Sequence, residues 1–224
     1  MDNKLLIPSS IVLAAVIIAG AVLYTNMPAS PNQPGDNAGK LPANSGDALK
    51  VRKDDFILGN PAAKVVLVEY GDFQCPFCGK FFKTTEKQLV DIYIKQGKAV
   101  LVWRDFAFLG EESFRAAEAA RCAGEQNKFW EYHDYLFNNQ RGENEGAFAD
   151  TILKSFAKTL KLDEDKFNTC FDSGKYRKAV EASGEEGRIM GVNGTPATFV
   201  NGQLISGAVS FITFQSAIEA ELKK

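Results

Sequence analysis

The chain has 224 residues and a formal net charge of -2 at pH 7, with acidic and basic side chains spread along its length. Because a protein that binds nucleic acid needs concentrated positive charge, this balance argues against nucleic acid as a partner. About 175 residues follow the first fifty and carry large apolar side chains, which is enough for one folded domain with a sizeable core.

Residues 1–24 predict a membrane segment. Residues 5–24 are almost wholly apolar, and about 20 such residues can span a bilayer, whereas a signal peptide has an apolar core of about 7 to 15. We therefore expect an uncleaved anchor, with a cleaved signal as the alternative. Lys4 precedes the apolar run, so the amino terminus is expected in the cytoplasm and the rest of the chain outside it.

Residues 25–49 predict a flexible linker. They are rich in Pro, Gly, Asn, Ser and Ala and hold hardly any large apolar side chain. Because such a segment cannot bury apolar surface, we expect a disordered tether that lets the folded part stand off the membrane.

Residues 50–110 predict three strands around one helix. We expect an edge strand at 51–58, a buried strand at 64–70 and a further strand at 99–106, all rich in β-branched and apolar side chains. A helix is expected between the last two, which makes a right-handed parallel crossover.

The helix in this crossover is predicted to run from Cys75 to about Gln96, with one apolar and one polar face. The side chains predicted to be buried are Phe77, Phe81, Thr85, Leu89, Ile92 and Tyr93. The side chains predicted to be mostly exposed are Lys80, Lys83, Glu86 and Lys87.

Residues 111–190 predict a block of helices. Successive stretches have apolar residues at helical spacing, at 113–123, 128–138, 147–160, 163–171 and 175–190. The block is too long to be a loop, so we expect an inserted helical subdomain.

Residues 191–224 predict a return to strands and a final helix. Strands at 197–200 and 203–206 flank Asn201-Gly202, whose residues both accept the positive φ of a hairpin turn. A helix is expected from residue 210 to residue 222. The predicted order is therefore β, α, β, helical insertion, β, β, α.

Cys75 and Cys78 form a Cys-X-X-Cys pair at a strand-to-helix junction. The first turn of a helix has unpaired N–H groups and a positive dipole end, and both stabilise a thiolate. The pKa of a cysteine in such a setting is roughly 3.5 to 7.5, compared with about 8.5 for a free thiol. We predict redox chemistry, with Cys75 as the ionised thiol and the more buried Cys78 as the resolving thiol. The alternatives are half of a zinc site and a structural pair.

Two separated motifs flank the helical block. They are Glu69-Tyr70-Gly71-Asp72-Phe73-Gln74-Cys75-Pro76-Phe77-Cys78 and Gly191-Val192-Asn193-Gly194-Thr195-Pro196-Ala197-Thr198-Phe199-Val200-Asn201-Gly202. Together they resemble the DsbA-like thiol-disulfide oxidoreductases of the thioredoxin superfamily, and the layout is most similar to the membrane-tethered, Gram-positive, BdbD-like type. The resemblance covers about residues 50–222. It implies an α/β class, with a thioredoxin fold that contains an inserted α-helical subdomain and follows an N-terminal transmembrane segment and flexible linker.

The resemblance implies roles for the residues around the two thiols. Pro196 is implied to be a cis-proline against the redox pair, and Thr195 to offer backbone groups to an extended substrate. Without the family, a trans-proline that starts a strand is the alternative. Pro76 and Phe77 are the active-site dipeptide, where the best-known members have Pro-His, so an imidazole that could stabilise the thiolate is missing.

Glu69 is an acid in a strand that is otherwise apolar. A desolvated carboxyl has a raised pKa and is suited to exchanging a proton with Cys78. The resemblance places a buried glutamate beneath the active site at this position, and an exposed strand-end residue is the alternative. Asp72 is expected to be a loop or capping residue, and His133 a partly buried packing residue.

Cys122 and Cys170 lie in the helical block. Four cysteines allow three pairings, and the one that leaves the redox pair intact joins these two in a structural disulfide. Some members of the family carry such a bond, which an exported domain permits. The alternative is two unpaired buried thiols.

The resemblance implies an oxidase that donates the Cys75–Cys78 disulfide to exported cysteine-containing proteins through a mixed disulfide at Cys75. It also implies reoxidation by a membrane quinone-linked partner of the DsbB or VKOR (vitamin K epoxide reductase) type. The alternatives are a disulfide reductase or isomerase, a zinc-binding module and a docking scaffold. We expect a monomer without cofactor or metal, with its catalytic domain outside the cell membrane, or secreted or periplasmic if the signal is cleaved.

Overall fold

A mixed β-sheet forms the centre of residues 49–224, the part of the chain that the computed structural model describes. Its strands are β1 (Phe56–Gly59), β2 (Val65–Gly71), β3 (Ala99–Asp105), β4 (Ala197–Val200) and β5 (Gln203–Ser206). The order across the sheet is β1-β3-β2-β4-β5. β2 and β3 are parallel and the other neighbours are antiparallel. This is the mixed sheet of a thioredoxin-like α/β fold.

The predicted anchor at 1–24 lies outside the described residues, as does the predicted linker up to residue 48. Within 49–224, every helix is too short or too polar to cross a membrane.

The edge strand is shorter than the sequence predicts. β1 begins at Phe56, whereas the prediction began at residue 51. Residues 53–55 form a turn, in which the N–H of Arg52 donates to the Asp55 carboxylate at 2.7 Å. This side chain satisfies a backbone donor that a strand ladder would otherwise use.

The crossover helix α1 covers residues 76–94 and is irregular. It consists of α-helical segments Pro76–Phe81 and Lys87–Leu89 and π-helical segments Phe82–Glu86 and Val90–Ile94. A π-turn holds more residues than an α-turn, so the buried face departs from a regular 3.6-residue pattern.

Three predicted positions on α1 are wrong, two of them in the π-helical segments. Glu86, predicted to be exposed, is only 3% exposed, because it ends the first π-helical segment and turns toward the core. Ile92, in the second π-helical segment, is 37% exposed. Phe77 is 62% exposed, since periodicity identifies a helix face but not whether another element extends over the first turn.

The helical insertion follows β3. Its helices are α2 (Glu111–Gly124), α3 (Phe129–Asn138), α4 (Asp150–Thr159), α5 (Glu164–Asp172) and α6 (Arg177–Ile189), and α7 (Phe211–Leu222) comes after β5. Cys122 on α2 and Cys170 on α5 are disulfide-bonded, with Cα atoms 5.8 Å apart.

The core of the insertion is continuous with the redox pair. One apolar cluster contains Cys75 and Cys78 together with side chains of the insertion such as Phe137. Phe73, in the loop before Cys75, stacks on Trp103 of β3 with ring centres 4.8 Å apart. Side chains of the insertion thus pack directly against the redox pair.

Candidate active site

Cys75 is the residue immediately before α1. Its φ of -65° and ψ of 120° are extended, and Pro76 takes the first helical position, where no N–H is required. The Cys75 side chain is 4% exposed, and Cys78, one turn later, is fully buried. Both residues are free thiols. Cys75 is therefore the more accessible of the two buried residues.

The environment moves the pKa values of the two thiols apart. A hydrogen bond from Cys78 is the largest cause that lowers the pKa of Cys75 from 9.0 to about 6; burial opposes it, and Thr195 and nearby backbone N–H groups add to it. Burial raises the pKa of Cys78 well above its ordinary value, and Cys75 and Glu69 raise it further. Near pH 7, Cys75 is a thiolate and Cys78 a thiol, which is the state that thiol-disulfide exchange needs.

The loop before β4 meets the sulfur of Cys75. The Thr195–Pro196 peptide bond is cis, and the Cys75 thiol donates to the Thr195 carbonyl oxygen at 3.3 Å. The Pro196 carbonyl accepts from the N–H of Gly207 at 2.7 Å, which ties the loop to the end of β5. Within residues 49–224 the Thr195 hydroxyl has no hydrogen-bond partner, so it is free to donate to a thiolate.

Glu69 lies in β2, in register between Trp103 of β3 and Thr198 of β4. Its side chain is 1% exposed, and burial raises its pKa from 4.5 to about 8. Among the described residues its Oε2 has no hydrogen-bond partner. The carboxyl is therefore protonated at pH 7. Once it ionises at higher pH, its negative charge raises the pKa of Cys78. A neutral acid beside a buried thiol can exchange a proton with it.

Asp72 organises the loop that carries Cys75, a larger role than the capping that the sequence predicts. Its carboxylate accepts hydrogen bonds from the Gln74 N–H at 2.8 Å, the Ser113 hydroxyl at 2.7 Å and the Phe108 N–H at 3.0 Å. Burial raises its pKa, and these hydrogen bonds oppose the rise. The loop is thereby joined to α2 and to the chain after β3.

Gln140 is a site residue that the sequence does not signal. It follows α3, and its Nε2 donates to the carbonyl oxygens of Phe73 at 2.8 Å and Cys75 at 2.9 Å. A Cβ at Gly79 would collide with its Oε1, so glycine at 79 allows the insertion to approach α1. A polar residue in a loop belongs to no motif, and only the fold brings it to Cys75.

His133 on α3 is fully buried, which is deeper than the sequence predicts. Its ring lies 4.8 Å from Trp103 and 5.0 Å from Trp130, measured between centres. Nδ1 is 2.9 Å from Oδ1 of Asp134. Burial lowers the pKa of His133, so the imidazole is neutral at pH 7. His133 packs against Phe73, whereas the Cys75 sulfur contacts the Thr195 loop.

The chain is similar in sequence to known proteins. Residues 52–220 match the family model described as Thioredoxin. The probable disulfide bond formation protein D of Bacillus cereus is 32% identical over 171 residues, which are 75% of this chain and 78% of that protein. The protein of the same name from Bacillus anthracis is 28% identical over 216 residues, or 95% of this chain and 93% of that protein.

The fold also agrees with solved structures. The crystal structure of oxidised BdbD from Bacillus subtilis has a TM-score of 0.73 and 25% identity, and the match covers 79% of this chain and 97% of that chain. The chain therefore belongs to the thioredoxin family, and within it to the DsbA-like thiol-disulfide oxidoreductases of the BdbD type.

Proposed function

We propose that the protein is an oxidase that donates its Cys75–Cys78 disulfide to the cysteines of exported proteins. A substrate thiolate attacks the Cys75 sulfur, the disulfide breaks, and Cys78 leaves and takes a proton from Glu69. A second substrate thiolate then attacks the substrate sulfur of the mixed disulfide and releases the Cys75 thiolate. The substrate loses two electrons and the enzyme gains them.

The lowered pKa of Cys75 is the observation that carries this proposal. A fall from 9.0 to about 6 stabilises the reduced enzyme at pH 7 by about 1 kcal/mol relative to an unperturbed thiol. For a two-electron couple this corresponds to about 20 to 30 mV toward oxidising power. A stabilised reduced form makes the oxidised form the better donor of a disulfide.

The loop at Thr195 and Pro196 supports a role in substrate binding. The backbone of this loop lies against the Cys75 sulfur and has no N–H at Pro196. An extended substrate peptide could pair with this backbone as an added strand. The exposed ring of Phe77, two residues after Cys75, offers an apolar contact beside it. Neither group is specific for one sequence, which suits a donor to many proteins.

The cellular setting belongs to the same proposal. The apolar run at residues 5–24 would anchor the chain, residues 25–49 would tether the catalytic domain outside the cell membrane, and a quinone-linked membrane protein of the DsbB or VKOR type would reoxidise it. The Cys122–Cys170 disulfide supports an oxidising compartment, because such bonds are rare in the cytosol. Relatives named disulfide bond formation protein D support the direction of electron flow.

A trapping experiment tests the mechanism. The Cys78→Ser variant should accumulate mixed disulfides at Cys75 with exported proteins, because Cys78 can no longer attack the Cys75 sulfur and release them. The Cys75→Ser variant is the matched control and should accumulate none. Equal trapping by both variants would show that Cys75 is not the attacked sulfur.

A redox titration tests the direction. Equilibration of the wild-type pair with glutathione should give a reduction potential above that of thioredoxin, about -270 mV. A value at or below that figure would identify a reductase and overturn the oxidase proposal, even if Cys78→Ser traps partners.

A further inference from the structure

Glu86 is a buried carboxyl outside the redox site. It lies on α1, eight residues after Cys78, and its side chain is 3% exposed. Within residues 49–224 its Oε2 has no hydrogen-bond partner. An unsatisfied carboxyl in a protein interior is costly unless a proton, a cation or a hydrogen bond compensates it. Residues 49–224 therefore leave this oxygen available to a proton, a cation or water.

Two further ligand atoms lie beside Glu86. One oxygen of Glu86, one ring nitrogen of His133 and one oxygen of Asp134 lie within 4.8 Å of one another. His133 Nδ1 is the nitrogen next to Asp134, at 2.9 Å from Oδ1. Glu86 and His133 are buried, whereas the Asp134 side chain is 56% exposed. The cluster is thus buried at Glu86 and His133 and open to solvent at Asp134.

The open side of the cluster borders a cavity of about 250 Å³, which Glu86 and Asp134 line together with Phe82 and Lys87. Solvent ligands and a path of entry are therefore available. The two lysines that line this cavity each contact a different group. Lys95 is ion-paired with Asp91 at 2.6 Å, and Lys87 Nζ lies 5.2 Å from the centre of the Phe82 ring.

We propose that Glu86, His133 and Asp134 bind a divalent transition-metal ion of the Zn²⁺ class, which joins the active-site helix α1 to helix α3 of the insertion. One imidazole and two carboxylates, with the remaining positions open to water, suit Zn²⁺, whereas Mg²⁺ and Ca²⁺ prefer oxygen ligands alone. The donor atoms would be one imidazole nitrogen of His133 and one carboxylate oxygen each from Glu86 and Asp134.

The ion would act as a clip between two parts of the chain that sequence separates by almost fifty residues. α1 and α3 already meet through Phe82 and Phe137, whose rings are stacked with centres 5.3 Å apart. The metal would add a bond at the edge of this contact. Because binding requires both helices in place, the bound ion stabilises the docked insertion by mass action.

Zinc titration of the oxidised protein tests the proposal. The Cys75–Cys78 disulfide must be formed first, since free thiols bind zinc themselves. Calorimetry should give one Zn²⁺ per chain and no saturable Mg²⁺ binding. Tryptophan fluorescence should change in parallel, because both tryptophans of the chain, Trp103 and Trp130, contact the His133 ring.

Variants separate this site from diffuse attraction to surface charge. Glu86→Gln and Asp134→Asn should each weaken Zn²⁺ binding by about tenfold or more, as expected when a metal ligand is lost. Asp91→Asn is the matched control, because Asp91 lines the same cavity but is not in the cluster. It should leave the affinity unchanged.

Three results would overturn the proposal. They are the absence of one-to-one Zn²⁺ binding, unchanged affinity in Asp134→Asn, and an equal loss in Asp91→Asn. Asp134 and Asp91 are both exposed, so their variants are expected to fold even if Glu86→Gln does not.

Discussion

Replacing Cys78 with alanine should raise the pKa of Cys75, because the Cys78 hydrogen bond is the largest cause of its low value. A hydrogen bond to a charged group contributes about 1.5 to 3 kcal/mol, and about 1.4 kcal/mol corresponds to one pKa unit. The pKa of Cys75 in Cys78→Ala is therefore expected at about 7 to 8 instead of about 6. Cys78→Ser keeps a hydroxyl donor and should stay near the wild-type value.

Both variants leave Cys75 as the only free thiol when Cys122 and Cys170 remain bonded. The pKa can then be read from the ultraviolet absorbance of the thiolate against pH, and independently from the pH dependence of the alkylation rate with iodoacetamide. The same pKa should appear in both measurements.

Equal pKa values for Cys75 in the alanine and serine variants would refute the reasoning. If both remained near 6, the helix terminus and Thr195 alone would set the acidity of Cys75. If both rose together, a hydroxyl would not replace the thiol as donor. Only a rise confined to Cys78→Ala assigns the effect to the hydrogen bond.

Further predictions concern three other features of the chain. Glu69→Gln should stabilise the fold by about 3 kcal/mol at pH 7, measured by urea unfolding, and should have no effect below pH 4.5. Folding raises the pKa of the Glu69 carboxyl from 4.5 to about 8, so this carboxyl destabilises the wild-type fold increasingly as the pH rises from 4.5 to 8. The same variant should react about 100-fold more slowly with a dithiol peptide in stopped-flow assays, and an unchanged rate would argue against proton transfer by Glu69. Replacing Cys122 and Cys170 together with alanine opens a loop of 48 residues and should lower the free energy of unfolding by about 4 kcal/mol, while the iodoacetamide reactivity of Cys75 stays the same. Phe77→Ser should lower kcat/KM for a peptide substrate about tenfold without changing Tm, since the ring is mostly exposed; a fall in Tm would show a packing role instead.

The parts of the fold that the sequence predicts best are those with one dominant pattern. β2 and β3 are apolar runs because both faces of the sheet are covered, and β3 is buried at every position. The β4–β5 hairpin follows from Asn201-Gly202, both of which have positive φ. Each of these elements therefore leaves a pattern within its own few residues, and the sequence alone predicts it.

The position of Cys75 before the first turn of α1 also follows from local pattern, but the main cause of its acidity does not. The sequence attributes the low pKa to the helix terminus, whereas in the folded chain the largest contribution comes from Cys78, with Thr195 added from a segment 120 residues away. Distances between side chains depend on how segments dock. A one-dimensional pattern does not contain them.

Neither the role of Gln140 nor the burial of Glu86 follows from the sequence pattern. Gln140 lies in a loop, and it matters because the fold brings two carbonyl oxygens of the Cys75 loop within its reach. Regular helical periodicity places Glu86 on the polar face, whereas a π-helical segment turns it toward the core. Irregular backbone of this kind often marks functional positions, and propensity does not reveal it.

The insertion therefore does more than enlarge the core, because it holds α1 at two levels. At the first turn, Gln140 fixes the carbonyl oxygen of Cys75, and Gly79 allows this approach. One to two turns later, Phe82 stacks on Phe137 and Glu86 faces His133. The Cys75 thiolate is stabilised by hydrogen bonds from backbone N–H groups and from Cys78. These donors point at the sulfur only while the first turn of α1 stays in place. The acidity of Cys75 is thus coupled to contacts whose side chains never touch its sulfur, and loosening α3 should raise its pKa even with every residue of the Cys-X-X-Cys motif intact.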